Sequence, residues 1–250
     1  MYNQIYYLCK SKNLGGAHKN GTTITSRVEW IIKYLQSYNI DFDVDTFENK
    51  RFKNNNFYNI VMKGTSDKMV VAHHDIVNPN TDNANDNSAS VINAIMLKRL
   101  RPDLNVVLLD GEEPPMMGVG SQRVSDQINN GDFGNIKWVL NLELTGKGGE
   151  NFFIGNYPGE LSNHIKSIFT DCPVFNTPFN DSEIFVRNGI DSCVINPVPL
   201  TKNPSSIRNN NGYFDLSLLY NCHTNRDTLD TIDINDMKVF TEKILLKILE

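Results

Sequence analysis

Apolar positions recur along this chain with two different periods. Over residues 25–38 the apolar Val28, Ile31, Ile32 and Leu35 fall at helical spacing behind Thr and Ser residues suited to capping, which predicts a helix. Residues 88–100, 121–128 and 160–170 also read as helices, and residues 234–249 as a terminal amphipathic helix. Between them lie short runs of another kind. Residues 59–63 and 68–72 read as strands, as do 138–142 and 191–195. Residues 105–109 are almost continuously apolar, the pattern of a strand covered on both faces. Strands alternating with helices imply a largely parallel sheet with helices on both sides. No internal repeat interrupts this order. The Asn-rich stretches 54–56 and 209–211 read as surface loops. Residues 197–211, rich in Pro, Asn and Ser, read as a long loop near the functional site.

Composition narrows the picture a little. A chain of 250 residues suits one α/β domain over 1–250, large enough to bury a substantial core. With 40% hydrophobic and 21% charged residues, disorder is not indicated. A net charge of −5 argues against a nucleic-acid partner, which calls for a basic face. The four cysteines (Cys9, Cys172, Cys193, Cys222) form no C-x-x-C pair and no disulfide framework, and they read as reduced and structural. No secretory signal is visible at residues 1–7, and no stretch approaches the 18 or so apolar residues that span a bilayer. A cytoplasmic location and no membrane partner are therefore expected.

The candidate chemistry sits just after the predicted strands, where open α/β sheets bind ligands. After the strand at 68–72 come His73, His74 and Asp75, and a carboxylate two residues from a histidine can fix the tautomer of a metal-ligating ring. Asp86 precedes a helix, so alone it reads more readily as an N-cap than as a metal ligand. Glu112 and Glu113 follow the buried strand at 105–109. Their mutual repulsion is costly near a core unless a cation lies between them, although a solvated turn also carries such pairs. Glu143 stands in the apolar run Leu140-Asn141-Leu142-Glu143-Leu144 and needs a partner, if only a salt bridge. His223 lies in Cys222-His223-Thr224-Asn225-Arg226-Asp227-Thr228, where a lone histidine is more often an ordinary loop residue.

Each of these segments has an ordinary reading, but their order along the chain is far more specific. The series H-x-D, N-D-N, D-G-E-E, N-L-E and C-H-T-x-x-D-T, spanning about residues 69–230, resembles the M28 family of zinc aminopeptidases and their relatives. The resemblance implies a three-layer α/β/α sandwich around a mixed, mostly parallel sheet. It implies two divalent ions, zinc first and manganese or cobalt as alternatives. His73 and Glu143 would hold one ion, Glu113 and His223 the other, and Asp86 would bridge them. Asp75 would orient His73, and Glu112 would be the general base. The bond Asp86–Asn87 becomes a candidate cis peptide. Two ions about 3.5–4 Å apart can hold both a water and a scissile carbonyl, and the implied substrate is a small peptide or an amino-acid derivative.

The chain departs from the family pattern in places. Glu143 stands where many members carry Asp, and Ser182 replaces the His of an S-D-H-x-x-F-like stretch, here Asn180 to Phe185. Met116 and Met117 read as core or pocket lining. Tyr213, in the 205–214 stretch expected to shape the pocket, reads as packing more readily than as an oxyanion donor. Three alternatives stand beside the aminopeptidase. One is an amidohydrolase for acylated amino acids or metabolites. Another is a glutaminyl-cyclase-like acyltransferase with a single zinc. The last is a binding module that has lost activity.

Overall fold

The computed structural model describes residues 2–11, 26–52, 55–77, 79–202, 207–209 and 212–250. At its centre is one eight-stranded sheet. The strands are β1 (Asp43–Glu48), β2 (Asn56–Met62), β3 (Lys68–His73), β4 (Asn105–Leu109), β5 (Trp138–Leu142), β6 (Phe152–Gly155), β7 (Val174–Phe175) and β8 (Ser192–Pro197). Across the sheet the order is β1-β2-β4-β3-β5-β8-β6-β7. The middle four, β4, β3, β5 and β8, run parallel. β1 and β2 are antiparallel neighbours on one side, and β6 returns antiparallel to β8 on the other.

The apolar runs explain why the sheet is covered twice. Along β3, Val70 and Ala72 pack into one core, while Met69 and Val71 pack into another. β4 divides likewise, with Val106 and Leu108 on the first side and Val107 and Leu109 on the second. The first core takes the apolar faces of α1 (Ile5–Lys10), α2 (Ser26–Ser37), α3 (Ala89–Leu100) and α5 (Glu160–Ile168). The terminal helix joins them: α7 (Ile234–Val239) continues through a π-helical stretch over Phe240–Leu245 into Leu246–Leu249. The second core takes Val124 and Ile128 from α4 (Val119–Asn129) and Phe185 from α6 (Asp181–Arg187). The result is the expected α/β/α sandwich. Among the described residues no helix is long and apolar enough to cross a membrane.

Several elements differ from the sequence reading. β1, β6, β7, α1 and α6 have no counterpart in it, and each is seven residues or shorter. β1 carries Asp43, Asp45 and Glu48, which mask its alternation. The long loop expected over 197–211 is partly strand: β9 (Leu200–Thr201) and β10 (Ile207–Asn209) flank β11 (Gly212–Phe214) in a small separate sheet. Residues 203–206 and 210–211 of that stretch lie outside the described residues, as do Thr25 and Asn54. Packing is the reason for the correction. Phe214 and Leu200 close over Phe153, Phe175 and Val198 in a satellite core, with the Phe153 and Phe214 rings 6.2 Å apart.

Leu140 is fully buried in β5, between β3 and β8. Leu140→Ala is expected to cost about 2–5 kcal/mol of folding stability. A urea unfolding series reads this as a fall in midpoint, and a loss below ~1 kcal/mol would contradict the packing described.

Candidate metal centre

Because β4, β3, β5 and β8 are parallel, their carboxyl ends open on one edge of the sheet, and the predicted site residues gather there. His73 ends β3. Glu112 and Glu113 follow β4, Glu143 follows β5, Asp86 comes from the connection between β3 and α3, and His223 from the turn at residues 222–228. All seven sequence candidates stand at this edge. His73, Asp75, Asp86, Glu112, Glu113 and Glu143 are buried, whereas the His223 side chain is 44% exposed.

Each acid is tied by hydrogen bonds to another segment. Both oxygens of Asp75 accept main-chain N–H groups, from Glu112 at 3.2 Å and from Glu113 at 2.9 Å. Asp75 Oδ1 also lies 3.4 Å from His73 Nδ1. Gly111, at φ +77°, turns the chain just before the Glu pair, and a Cβ there would meet Val119 at 2.9 Å. Asn87 brackets Glu143: its Nδ2 donates to the carbonyl of Leu142 at 3.0 Å, and its Oδ1 accepts from Leu144 N at 3.1 Å. Asn141 Nδ2 stands 3.4 Å from Glu143 Oε1. Behind the site the buried guanidinium of Arg27 donates to the His74 carbonyl and to Ser88 Oγ, joining the β3 end to the segment below Asp86.

Asp86 does not cap α3, as its position in the sequence allows. Its main chain leaves the helical region at φ −110° and ψ 91°, and its bond to Asn87 is cis, as the resemblance implies. Its N–H and that of Asn85 are taken by Asp227, at 3.0 and 2.8 Å. Its carboxylate turns instead toward the two histidines.

Those contacts fall into two groups that share Asp86. His73 Nε2 faces Asp86 Oδ1 at 3.3 Å and Glu143 Oε2 at 3.5 Å. His223 Nε2 faces Asp86 Oδ2 at 3.3 Å and Glu113 Oε2 at 2.9 Å. Three of these four separations are long for N–H···O hydrogen bonds. They match instead the spacing of about 3.3–3.6 Å between donors that share one tetrahedral ion with arms of about 2.0–2.2 Å. One imidazole nitrogen with two carboxylate oxygens is also a donor set suited to zinc, manganese or cobalt. The residues present therefore fit divalent ions.

Electrostatics follows from this crowding. Burial, then the repulsion of Asp86, pushes Glu113 up to about 7. Burial pushes Glu112 well above the usual carboxylate range, with Glu143 and Asp181 adding to it against the pull of His73. Asp86 moves the other way: burial opposes ionisation, but His223 and His73 hold it well below its usual range. Its carboxylate and that of Glu113 raise His223 to about 10. Concentrated negative charge of this kind stays buried when cations neutralise it.

His73, Asp86, Glu112, Glu113, Glu143 and His223 line a cavity of about 440 Å³, which Asp75 does not reach. Phe153, Phe179, Val194, Leu219 and Met117 make its apolar wall. Of the Met pair, Met117 lines the cavity, while Met116 packs with Phe57 and Val119. Neither Tyr213 nor Phe214 is a lining residue, and Phe214 acts behind the wall, through Phe153. Ser182 is buried, with Ser192 Oγ 3.1 Å from its hydroxyl, and does not reach the cavity, whereas Asn180 does. Sequence reasoning assigns no part to Asn87, Cys222 or Asp227. The Cys222 thiol lies 2.6 Å from Asp86 Oδ2. Cys222 and Asp227 both sit inside the quoted C-H-T-x-x-D-T string, the one signal that could have marked them. The four cysteines are free.

The model of Peptidase family M28 matches residues 59–247. Compared by sequence, no curated protein matches. Solved structures do match. A zinc aminopeptidase from Bacillus subtilis superposes with a TM-score of 0.60 at 17% identity, covering 79% of this chain and 50% of that one. The chain thus spans about half the length of that enzyme. The LapA aminopeptidase of Legionella pneumophila gives 0.67 at 15% identity over 99% of this chain and 70% of that one. A glutaminyl cyclase of Porphyromonas gingivalis gives 0.72 at 18% identity over 99% and 95%. At such identities the likeness is one of fold.

Proposed function

Since the chain belongs to Peptidase family M28, we propose that it is a two-metal aminopeptidase, acting as a single domain on the free amino end of small peptides. The observation that carries this reading is the sorting of the site into two histidine–carboxylate groups with Asp86 common to both. His73, Glu143 and Asp86 would hold one ion; His223, Glu113 and Asp86 would hold the other.

When bound, divalent ions supply Lewis-acid polarisation of a water molecule and of the scissile carbonyl. The protein supplies the rest. Glu112 lines the cavity but belongs to neither group. It takes the proton of the attacking water on a carboxylate oxygen and returns it to the nitrogen of the leaving amine. Burial raises its proton affinity above that of a free carboxylate, the direction a general base needs. Asp75 fixes the main chain at Glu112 and Glu113 together, so base and ligand keep their spacing. The apolar wall of Phe153, Phe179, Val194 and Leu219 excludes water from the bound side chain.

The test is hydrolysis of aminoacyl p-nitroanilides and short peptides. Activity is expected to vanish on treatment with a chelator and to return with zinc, manganese or cobalt. Chelator-resistant turnover would refute the reading. A second reading draws support from the overlap with nearly the whole length of the Porphyromonas gingivalis glutaminyl cyclase: acyl transfer within an N-terminal glutamine at a single ion. One ion per chain by elemental analysis, with cyclisation of a glutaminyl peptide, would favour it. The two groups around Asp86 favour hydrolysis.

A further inference from the structure

His223 and Asp227 share one short turn and reach opposite ends of the same residue. His223 Nε2 meets the Asp86 side chain, 3.3 Å from Oδ2. Asp227 meets the main chain there: Oδ2 accepts Asp86 N–H at 3.0 Å and Oδ1 accepts Asn85 N–H at 2.8 Å. The turn is itself tied down, since the Asp227 carbonyl accepts the Thr81 hydroxyl at 2.8 Å. Asp227 is 1% exposed. Buried N–H groups without acceptors are costly, and a carboxylate is a strong acceptor for them. Residues 84–88 form a single π-helical turn broken at Asp86 and Asn87; Ser88 and Ala89 donate the bonds that close it, and the N–H groups of residues 85 and 86 go to Asp227.

We propose that Asp227 is a positioning residue that aims both oxygens of Asp86 and so ties the affinities of both ion sites to the turn carrying His223. The inference rests on the two-ion reading of the cavity. Asp86 Oδ1 faces the His73–Glu143 group and Oδ2 the His223–Glu113 group. A shift of the main chain at Asp86 therefore misdirects both. Removing a ligand such as Glu143 disturbs one group, whereas removing Asp227 disturbs both and deletes no ligand.

The experiment strips the full-length protein of metal and titrates it with zinc against a chromophoric chelator. Asp227→Asn keeps one acceptor oxygen but turns an NH2 toward the second N–H. Both zinc equivalents are expected to weaken together, by about 10–100-fold. In Glu143→Gln one equivalent weakens far more than the other. Thr81→Val removes only the tie to the Asp227 carbonyl, and it is expected to give the same paired weakening to a smaller degree. Metal-free unfolding midpoints are recorded for all variants. Wild-type affinities in Asp227→Asn would overturn the proposal, as would weakening of one equivalent alone. So would an Asp227→Asn protein that is unfolded without metal while Thr81→Val binds normally. A wild-type protein that takes up fewer than two ions would instead overturn the two-ion reading, and the inference with it.

Discussion

Glu112→Gln is expected to lower kcat on an aminoacyl p-nitroanilide by about 10²–10⁴-fold, the range that removal of a general base commands. The substitution preserves shape and removes the basic oxygen. The main-chain N–H of Glu112 stays on Asp75, so the position of the side chain should hold. Neither histidine–carboxylate group includes Glu112, so ion content should stay at the wild-type value. A change made only in the reacting state appears in kcat with KM nearly constant. Steady-state kinetics together with elemental analysis measures both quantities. Activity within a few-fold of wild type would remove Glu112 from the mechanism.

Asp86→Ala should be broader in effect. Among the described residues Asp86 is the one acid that faces both histidines, so both ions should be lost and hydrolysis should fall to the solvent background. Truncation also leaves His73 and His223 without the carboxylate they share, close to Glu143 and Glu113 respectively. Calorimetric titration with zinc is the direct check. Two tightly bound ions in Asp86→Ala would show that this carboxylate does not bridge.

Much of this architecture was legible in the sequence because burial on two faces leaves a plain trace. Val70 and Val71 point into different cores, and so do Val106 and Val107. Runs of that kind announce a central parallel strand. The site residues were legible by order and place: a histidine or acid just past each strand, in a series resembling one family. What escaped was contact without period. Asp227 reaches Asn85 across 142 residues, and no local pattern encodes such a bond. Asn87 is one more polar residue in a polar string until its amide is seen bracketing Glu143. Cavity walls are equally silent, since Phe153 and Leu219 look in sequence like any core residue. The stretch 197–211 misled because its Pro and Asn residues outweigh Leu200, whose packing with Phe214 makes it partly strand.

The outermost strands of the main sheet carry a different consequence. At one edge β1 presents Asp43, Asp45 and Glu48, with Asp45 gripped by Arg123 and Gln127 of α4. At the other edge β7 is two residues long. A charged border and a very short one are two ways of denying an extended chain a template to zip onto. Each side of the sheet thus carries a feature that discourages an added strand from continuing the ladder. The molecule can thus keep eight strands in register without becoming the seed of a fibre.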